Sequence, residues 1–271
     1  MLLPPPALPD KAALFLDFDG TLVPIAQRPQ DVRVPPALIP TLQRLHFMQG
    51  GALAIISGRP LSGVDAFVSP LLLAVAGAHG AERRNEAGQI TLRRAETPAP
   101  VLAAAATLAS QHTGLLLEHK PSGFALHYRL NPSLAETCQV TLAKALNEAP
   151  DASLTWELLL GHCVCELKQR GVSKGTAVQA FMTEPPFAGR VPVFIGDDVT
   201  DEDGFVAVQA AGGFGIHVGA GPTQAMYRLP DTDAVATWLM HASGARQANA
   251  PQTPQTPQEQ DAPQEQEARQ P

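Results

Sequence analysis

Cysteine is scarce. Cys138, Cys163 and Cys165 are the only three in 271 residues, and an odd trio cannot build a disulfide framework. All three read as reduced thiols, so the expected compartment is the cytoplasm. Basic charge is also short. Nineteen Lys and Arg against 26 Asp and Glu leave a formal net charge of −7, which repels a phosphate-coated polymer and argues against nucleic acid as a partner. No uninterrupted apolar run is long enough for a membrane span. The longest uncharged stretch of interest, 97–117, is broken by Pro98, Pro100, Ser110, Gln111 and His112. The first residues, MLLPPPALPDK, lack both the basic start and the apolar length of a secretion signal.

The remaining composition is that of a folded protein. Hydrophobic residues make up 45% and charged residues 17%, enough apolar chain to bury a core. The exception is the segment 246–271, where eight Gln and five Pro accompany no aliphatic side chain larger than Ala. It cannot bury enough apolar surface to offset its ordering entropy, and the expectation is a disordered Pro/Gln-rich tail.

Before the tail, apolar runs at 12–16, 52–56 and 71–75 alternate with helical spacing at 36–49. The same grammar returns with a helix near 176–181, strands at 191–195 and 215–218, and a closing helix at 232–240. Continuous apolar strands alternating with helices predict an α/β fold, with a doubly wound, Rossmann-like parallel sheet covered on both faces. Between them the pattern changes to helix 101–112, strands 115–120 and 124–130, helix 132–149, and strands 154–160 and 163–167. That is an inserted α+β unit with hairpins at 121–123 and 161–162. The expected division is a core of 1–96 and 167–245, an insert of 97–166 and the tail.

In an open α/β sheet, ligands bind beyond the C-terminal strand ends, and the chemistry-bearing residues fall there. Asp17-Phe18-Asp19-Gly20-Thr21 leaves the first strand. A carboxylate at that place can attack phosphorus, and a second can pass a proton to and from the departing oxygen. The bland alternative is a solvated acidic turn. Five of the seven residues from Asp197 to Asp203 are acidic. Such crowding suits a hard cation such as Mg²⁺, although the dipole of a following helix accounts for Asp201, Glu202 and Asp203 equally well. Ser57-Gly58-Arg59 follows another buried strand, where Ser57 can hold a phosphate oxygen or simply cap a helix. Lys174, one of only five lysines, opens a helix where it can balance carboxylates and phosphate.

The order DFDGT, ISGRP, SKG, GDDVTDED resembles the haloacid dehalogenase superfamily of phosphohydrolases. The resemblance implies Asp17 as nucleophile and Asp19 as general acid/base. It implies Mg²⁺ held by Asp17, the backbone carbonyl of Asp19 and Asp197. Ser57 and Lys174 match its phosphate-holding serine and lysine, with Phe18 lending a backbone amide. The fold it implies is a haloacid dehalogenase core with an inserted cap.

The segments FLDFDGTLVPI, GAHGAE, LEHKPSGFALHYR, CELK and GDDVTDEDGF resemble, more narrowly, the trehalose-6-phosphate phosphatase family across roughly 12–240. This implies an Mg²⁺-dependent phosphoric monoester hydrolase acting on a small sugar phosphate in trehalose biosynthesis. Sugar contacts are implied at Glu118, Lys120 and Glu166. Arg129 and Arg59 also lie in matching motifs and are implied as further substrate contacts, and His79 and Glu82 lie in such motifs too. His162 departs from the family, which often has Lys in that turn. Strand alternation separately puts Glu118 and Lys120 on one face, and Ala125, His127 and Arg129 on one face of the next strand. A monomer without nucleic-acid or membrane partners is the expectation.

Two rivals remain open at this point. A phosphatase for another sugar phosphate would differ in its substrate panel. A receiver-type phospho-acceptor module would accumulate its phospho-form, and it would lack both the DxDGT spacing and the insert.

Overall fold

The computed structural model describes residues 3–26, 28–93, 96–120, 123–161 and 163–244. The expected tail at 246–271 and the departure at His162 lie outside them. The first part of the chain runs β1 (Ala12–Leu16), α1 (Leu38–Met48), β2 (Leu53–Ile56), α2 (Leu61–Val68), β3 (Ala74–Gly77), β4 (Glu82–Arg84) and β5 (Ile90–Leu92). Next come α3 (Ala99–Gln111), β6 (Leu116–Lys120), β7 (Gly123–His127), α4 (Ala135–Asn147), α5 (Pro150–Thr155), β8 (Trp156–Gly161) and β9 (Val164–Gln169). The chain closes with α6 (Lys174–Met182), β10 (Val191–Gly196), α7 (Glu202–Ala210), β11 (Phe214–Val218), β12 (Tyr227–Leu229) and α8 (Thr232–Ala242).

Two sheets result. The larger has the order β12-β11-β10-β1-β2-β3-β4-β5. Its strands from β12 to β3 are parallel, and β4 and β5 add an antiparallel edge. The smaller is antiparallel in the order β6-β7-β9-β8.

β1 sits at the centre because every one of its residues is apolar and can be buried on both faces. Its alternation sorts them. Ala12, Leu14 and Leu16 pack into one core layer with residues of α1, α2 and α8. Ala13 and Phe15 pack into the other with residues of α6 and α7. Phe15 stacks on Phe187 at 5.5 Å and lies 6.1 Å from Phe181. Burying such a ring is worth about 1.5–3 kcal/mol. The smaller sheet rests one face on α3 and α4 through Phe124, Leu126, Cys165 and Leu167.

Several boundaries differ from the sequence reading. The apolar run at 71–75 is mostly irregular: a turn after α2 closes where the Leu71 N–H donates to the Val68 carbonyl, and the strand begins only at Ala74. The strand expected over 154–160 begins only at Trp156, because residues before it wind into the short α5. The strand expected through 130 stops at His127, where Tyr128 turns the chain by accepting from Asn131. Cys163, expected to open the last strand of the insert, is not a strand residue. It occupies the turn before β9 with φ +61°. β9 itself runs past residue 166 to Gln169, paired with Trp156, so the antiparallel sheet crosses the expected end of the insert.

Candidate active site

The register of β1 on β10 pairs Leu16 with Ile195, so Asp17 and Asp197 leave neighbouring strands at the same end of the sheet. The Asp17 N–H donates to the Ile195 carbonyl at 2.9 Å. Gly20 then turns the chain with φ +84°. A Cβ there would stand 2.1 Å from an Asp197 carboxylate oxygen, so both the backbone and the space require glycine. The Thr21 hydroxyl, on the same turn, donates to Asp197 at 3.3 Å. Gly20→Ala is therefore expected to displace the Asp197 carboxylate and weaken any cation held there. A titration of activity against Mg²⁺ should show a midpoint raised at least about 10-fold, the scale seen when groups orienting a metal ligand are lost. An unchanged midpoint would show that Asp197 holds no cation.

Lys174 is the first residue of α6, whose N-terminus is fixed by a reciprocal cap between Ser173 and Thr176. Its ammonium is buried and donates to Asp17 Oδ1 and Asp201 Oδ1, each at 2.6 Å. Burial alone would lower the Lys174 amine, but the two carboxylates outweigh it and hold the group well above the usual lysine range. Asp201 is fully buried, and its second oxygen accepts the N–H groups of Asp197 and Asp198 at 3.0 Å. It was missed as a site residue because a helix-start acid explains the same sequence position. Its four-residue spacing from Asp197 was the available signal.

One oxygen each from Asp17, Asp197 and Asp201 can lie within 4.8 Å of one another. Burial raises Asp17 to about 7 and Asp201 to about 7, against the pull of Lys174. Burial and the neighbouring Asp201 raise Asp197 to about 6. Three crowded carboxylates face one ammonium, and such a set fits a hard divalent cation. Asp201 already spends its oxygens on Lys174 and two amides, which leaves Asp17 and Asp197 as the better donors.

The remaining core residues surround this cluster. Ser57 is buried, and its Oγ accepts the Arg59 N–H at 3.1 Å, leaving the hydroxyl hydrogen to donate to an anion. The Phe18 backbone amide lies beside the Asp17 carboxylate and favours its charged form. Asp19 is outside the cluster. Both its oxygens accept from Arg59, at 2.5 and 2.6 Å. That guanidinium in turn lies over the Phe67 and Phe18 rings at 4.8 and 5.6 Å. Arg59, read from sequence as a substrate residue, is thus engaged with Asp19. Glu82 accepts the Leu61 N–H at the start of α2.

In the antiparallel sheet, opposite residues share a face. The registers put Glu118, Lys120, Ala125, His127 and Glu166 together, on the face away from α3 and α4. Lys120 donates to Glu166 at 2.9 Å. Glu118 pairs with His127 at 2.9 Å, and that bond is the main reason its carboxyl lies below the ordinary range. Arg129 lies exposed in the turn after β7, with no ion pair among the described residues. Glu166 also reaches His79 of the larger unit at 3.5 Å. Burial would raise the Glu166 carboxyl, but His79 and Lys120 together bring it down to about 2.

A parallel sheet with these acids at its strand ends and an antiparallel unit inserted before α6 is a fold shared with solved phosphatases. A phosphatase of the haloalkanoate (HAD) superfamily from Bacteroides thetaiotaomicron superimposes with a TM-score of 0.55 at 19% identity, over 87% of this chain and 96% of that one. The C-terminal domain of a C. albicans trehalose-6-phosphate phosphatase superimposes with a TM-score of 0.75 at 21% identity, over 87% and 92%. In sequence, the trehalose-phosphatase family model matches residues 15–233. The trehalose-6-phosphate phosphatase of Escherichia coli K12 is 42% identical over 245 residues, 89% of this chain and 90% of that protein. The chain belongs to the trehalose-phosphatase family. Among the described residues no helix is long and apolar enough to cross a membrane.

Proposed function

We propose that this protein hydrolyses trehalose 6-phosphate to trehalose and phosphate, with Mg²⁺ as its cation. The observation that carries the proposal is the buried pair of Asp17 and Lys174 with the half-buried Asp197 beside it, at the end of β1 and β10, in a chain of this family. The antiparallel sheet and its helices act as the cap that reads the sugars.

Lys174 holds Asp17 Oδ1, so the other Asp17 oxygen is the one that attacks phosphorus. An O–P bond forms to Asp17 as the bond from phosphorus to the sugar C6 oxygen breaks. Asp19 gives that oxygen its proton, for which it has to exchange the Arg59 guanidinium for the departing group. Asp19, now a carboxylate, takes a proton from water. The oxygen of that water attacks phosphorus and frees Asp17. Ser57, Lys174 and the Phe18 amide bind and orient the phosphoryl oxygens. Asp17 and Asp197, with the Asp19 carbonyl, would hold Mg²⁺, which would supply positive charge to keep the nucleophile ionised and offset charge on the phosphoryl group. Closure of the cap excludes water.

The test is phosphate release across trehalose 6-phosphate, sucrose phosphate, glucose 6-phosphate and an aryl phosphate, each with Mg²⁺ or with chelator. Trehalose 6-phosphate is expected to have the highest kcat/KM, and chelator should abolish release. A monosaccharide phosphate turned over as well would reject the disaccharide assignment.

Stability should report the same charge cluster. The folded pKa values of Asp17, Asp197 and Asp201 lie above the ordinary 3.8. Between these limits the folded state binds more protons than the unfolded one, so this cluster's contribution to stability falls as pH rises from about 4 to about 7. Mg²⁺ should counter that loss. At 100 times its dissociation constant it adds about 2.7 kcal/mol, or a Tm gain of about 5–10 °C for a chain of this size. The gain should be full at pH 8 and small at pH 5. An equal gain at both values would place the cation elsewhere.

A further inference from the structure

Ala78, His79 and Gly80 follow β3 with φ of +46°, +56° and +106°. Two of them are not glycine, and side chains with a Cβ rarely take up this left-handed conformation unless their surroundings impose it. The imposing contacts are at the site. The Ala78 N–H donates to the Arg59 carbonyl at 2.8 Å, and the His79 N–H to the Ser57 carbonyl at 2.9 Å. A Cβ on Gly58 would stand 2.7 Å from the His79 ring, so the imidazole lies where that position has no side chain. A Cβ on Gly80 would meet the Ser173 carbonyl at 3.0 Å. The loop is thus wedged between the segment carrying Ser57 and the start of α6, which carries Lys174.

From there His79 Nε2 points at the cap, 3.5 Å from Glu166 Oε1. That is an ion-pair distance rather than a short hydrogen bond. The other ring nitrogen, Nδ1, is buried without a hydrogen-bond partner among the described residues. A buried unpaired nitrogen costs stability, so the ring is not placed there to hold the loop together. Glu166, Lys120 and Glu118 share one face of the antiparallel sheet, and Lys120 donates to the same Glu166 oxygen that His79 approaches. One oxygen of Glu166 is therefore held from both units, and the other is left to accept from a ligand.

We infer that His79 is a positioning residue for sugar recognition: from the core side it fixes, together with Lys120, the carboxylate of Glu166 that accepts a sugar hydroxyl. The inference rests on the sugar-phosphatase reading. It adds that selectivity is set across the junction of the two units rather than by the cap alone.

The experiment is a double-mutant cycle on full-length protein with Mg²⁺, using whichever sugar phosphate wild type hydrolyses fastest. A failure of the trehalose assignment then leaves the His79 test intact. His79→Asn keeps a residue tolerant of the left-handed backbone, but its amide nitrogen stops at the position of Nδ1. His79→Gln can put a donor where Nε2 stands. His79→Asn is expected to lower kcat/KM for the sugar phosphate by about 10- to 30-fold, and by a factor at least about fivefold smaller for an aryl phosphate. His79→Gln should recover most of the loss. In a Glu166→Gln background, His79→Asn should cost less than about twofold, because no carboxylate remains to be held. Full additivity in that background, equal losses on both substrates, or a Gln variant no better than Asn would each overturn the inference.

Discussion

Asp17→Asn is expected to lower phosphate release by at least about 10³-fold while leaving the fold intact. The amide is nearly isosteric, cannot attack phosphorus and is a poor ligand for a hard cation, so covalent and charge-stabilising roles go together. Stability should not suffer. Asp17 is one of three carboxylates drawn close together, two of them buried and Asp197 half-buried, and burial and the charge of Asp197 both raise its pKa. Removing its charge relieves that crowding and leaves Lys174 paired with Asp201 at 2.6 Å. The purified variant should therefore melt no lower than wild type in the absence of Mg²⁺, and gain less when Mg²⁺ is added. Phosphate release near the wild-type rate would end the proposed mechanism.

Lys174→Met should have the opposite signature, with a large effect on stability as well as rate. Its ammonium is the partner of two carboxylates that are themselves almost inaccessible to water. Removing one partner from a buried ionic set costs about 3–5 kcal/mol, because the remaining charges are left uncompensated. For a domain of this size that is a fall in Tm of about 10 °C or more at pH 8. At pH 5 the acids, already raised by burial, take up protons and the deficit should shrink. Tm measured without Mg²⁺ at the two pH values checks this. No loss at pH 8 would mean that the three acids are neutral in the folded protein.

The sequence made the central geometry legible because that geometry depends on strand ends. Asp17, Ser57 and Asp197 each follow a continuous apolar run, and a parallel sheet aligns such ends without any knowledge of side-chain contacts. What stayed hidden depends on pairing between loops. Nothing in SGR announces that Arg59 will clamp Asp19 while lying over Phe67, and nothing in GAHG announces a left-handed histidine aimed at Glu166. The edge hairpin of β4 and β5 was hidden for another reason. Its first strand, Glu82-Arg83-Arg84, has no apolar residue, and Arg84 is buried there because Asp65 and the Leu73 carbonyl satisfy its guanidinium. The end of the short α5 was mistaken for strand because Leu154 reads as apolar core, yet it is 78% exposed.

The position of β1 between β10 and β2 also bears on how the chain is made. On the ribosome, β1, β2 and β3 emerge early, but the partner for the other edge of β1 begins only at Val191. Until then a five-residue strand, Ala-Ala-Leu-Phe-Leu, has one side without backbone partners, and such an edge invites pairing with another chain. The antiparallel unit is synthesised entirely within that interval, and its hairpin pairings are local enough to form while the central strand waits. The insertion that divides the core in sequence therefore also sets the longest delay in its assembly, and it is during this delay that the nascent chain is most exposed to aggregation.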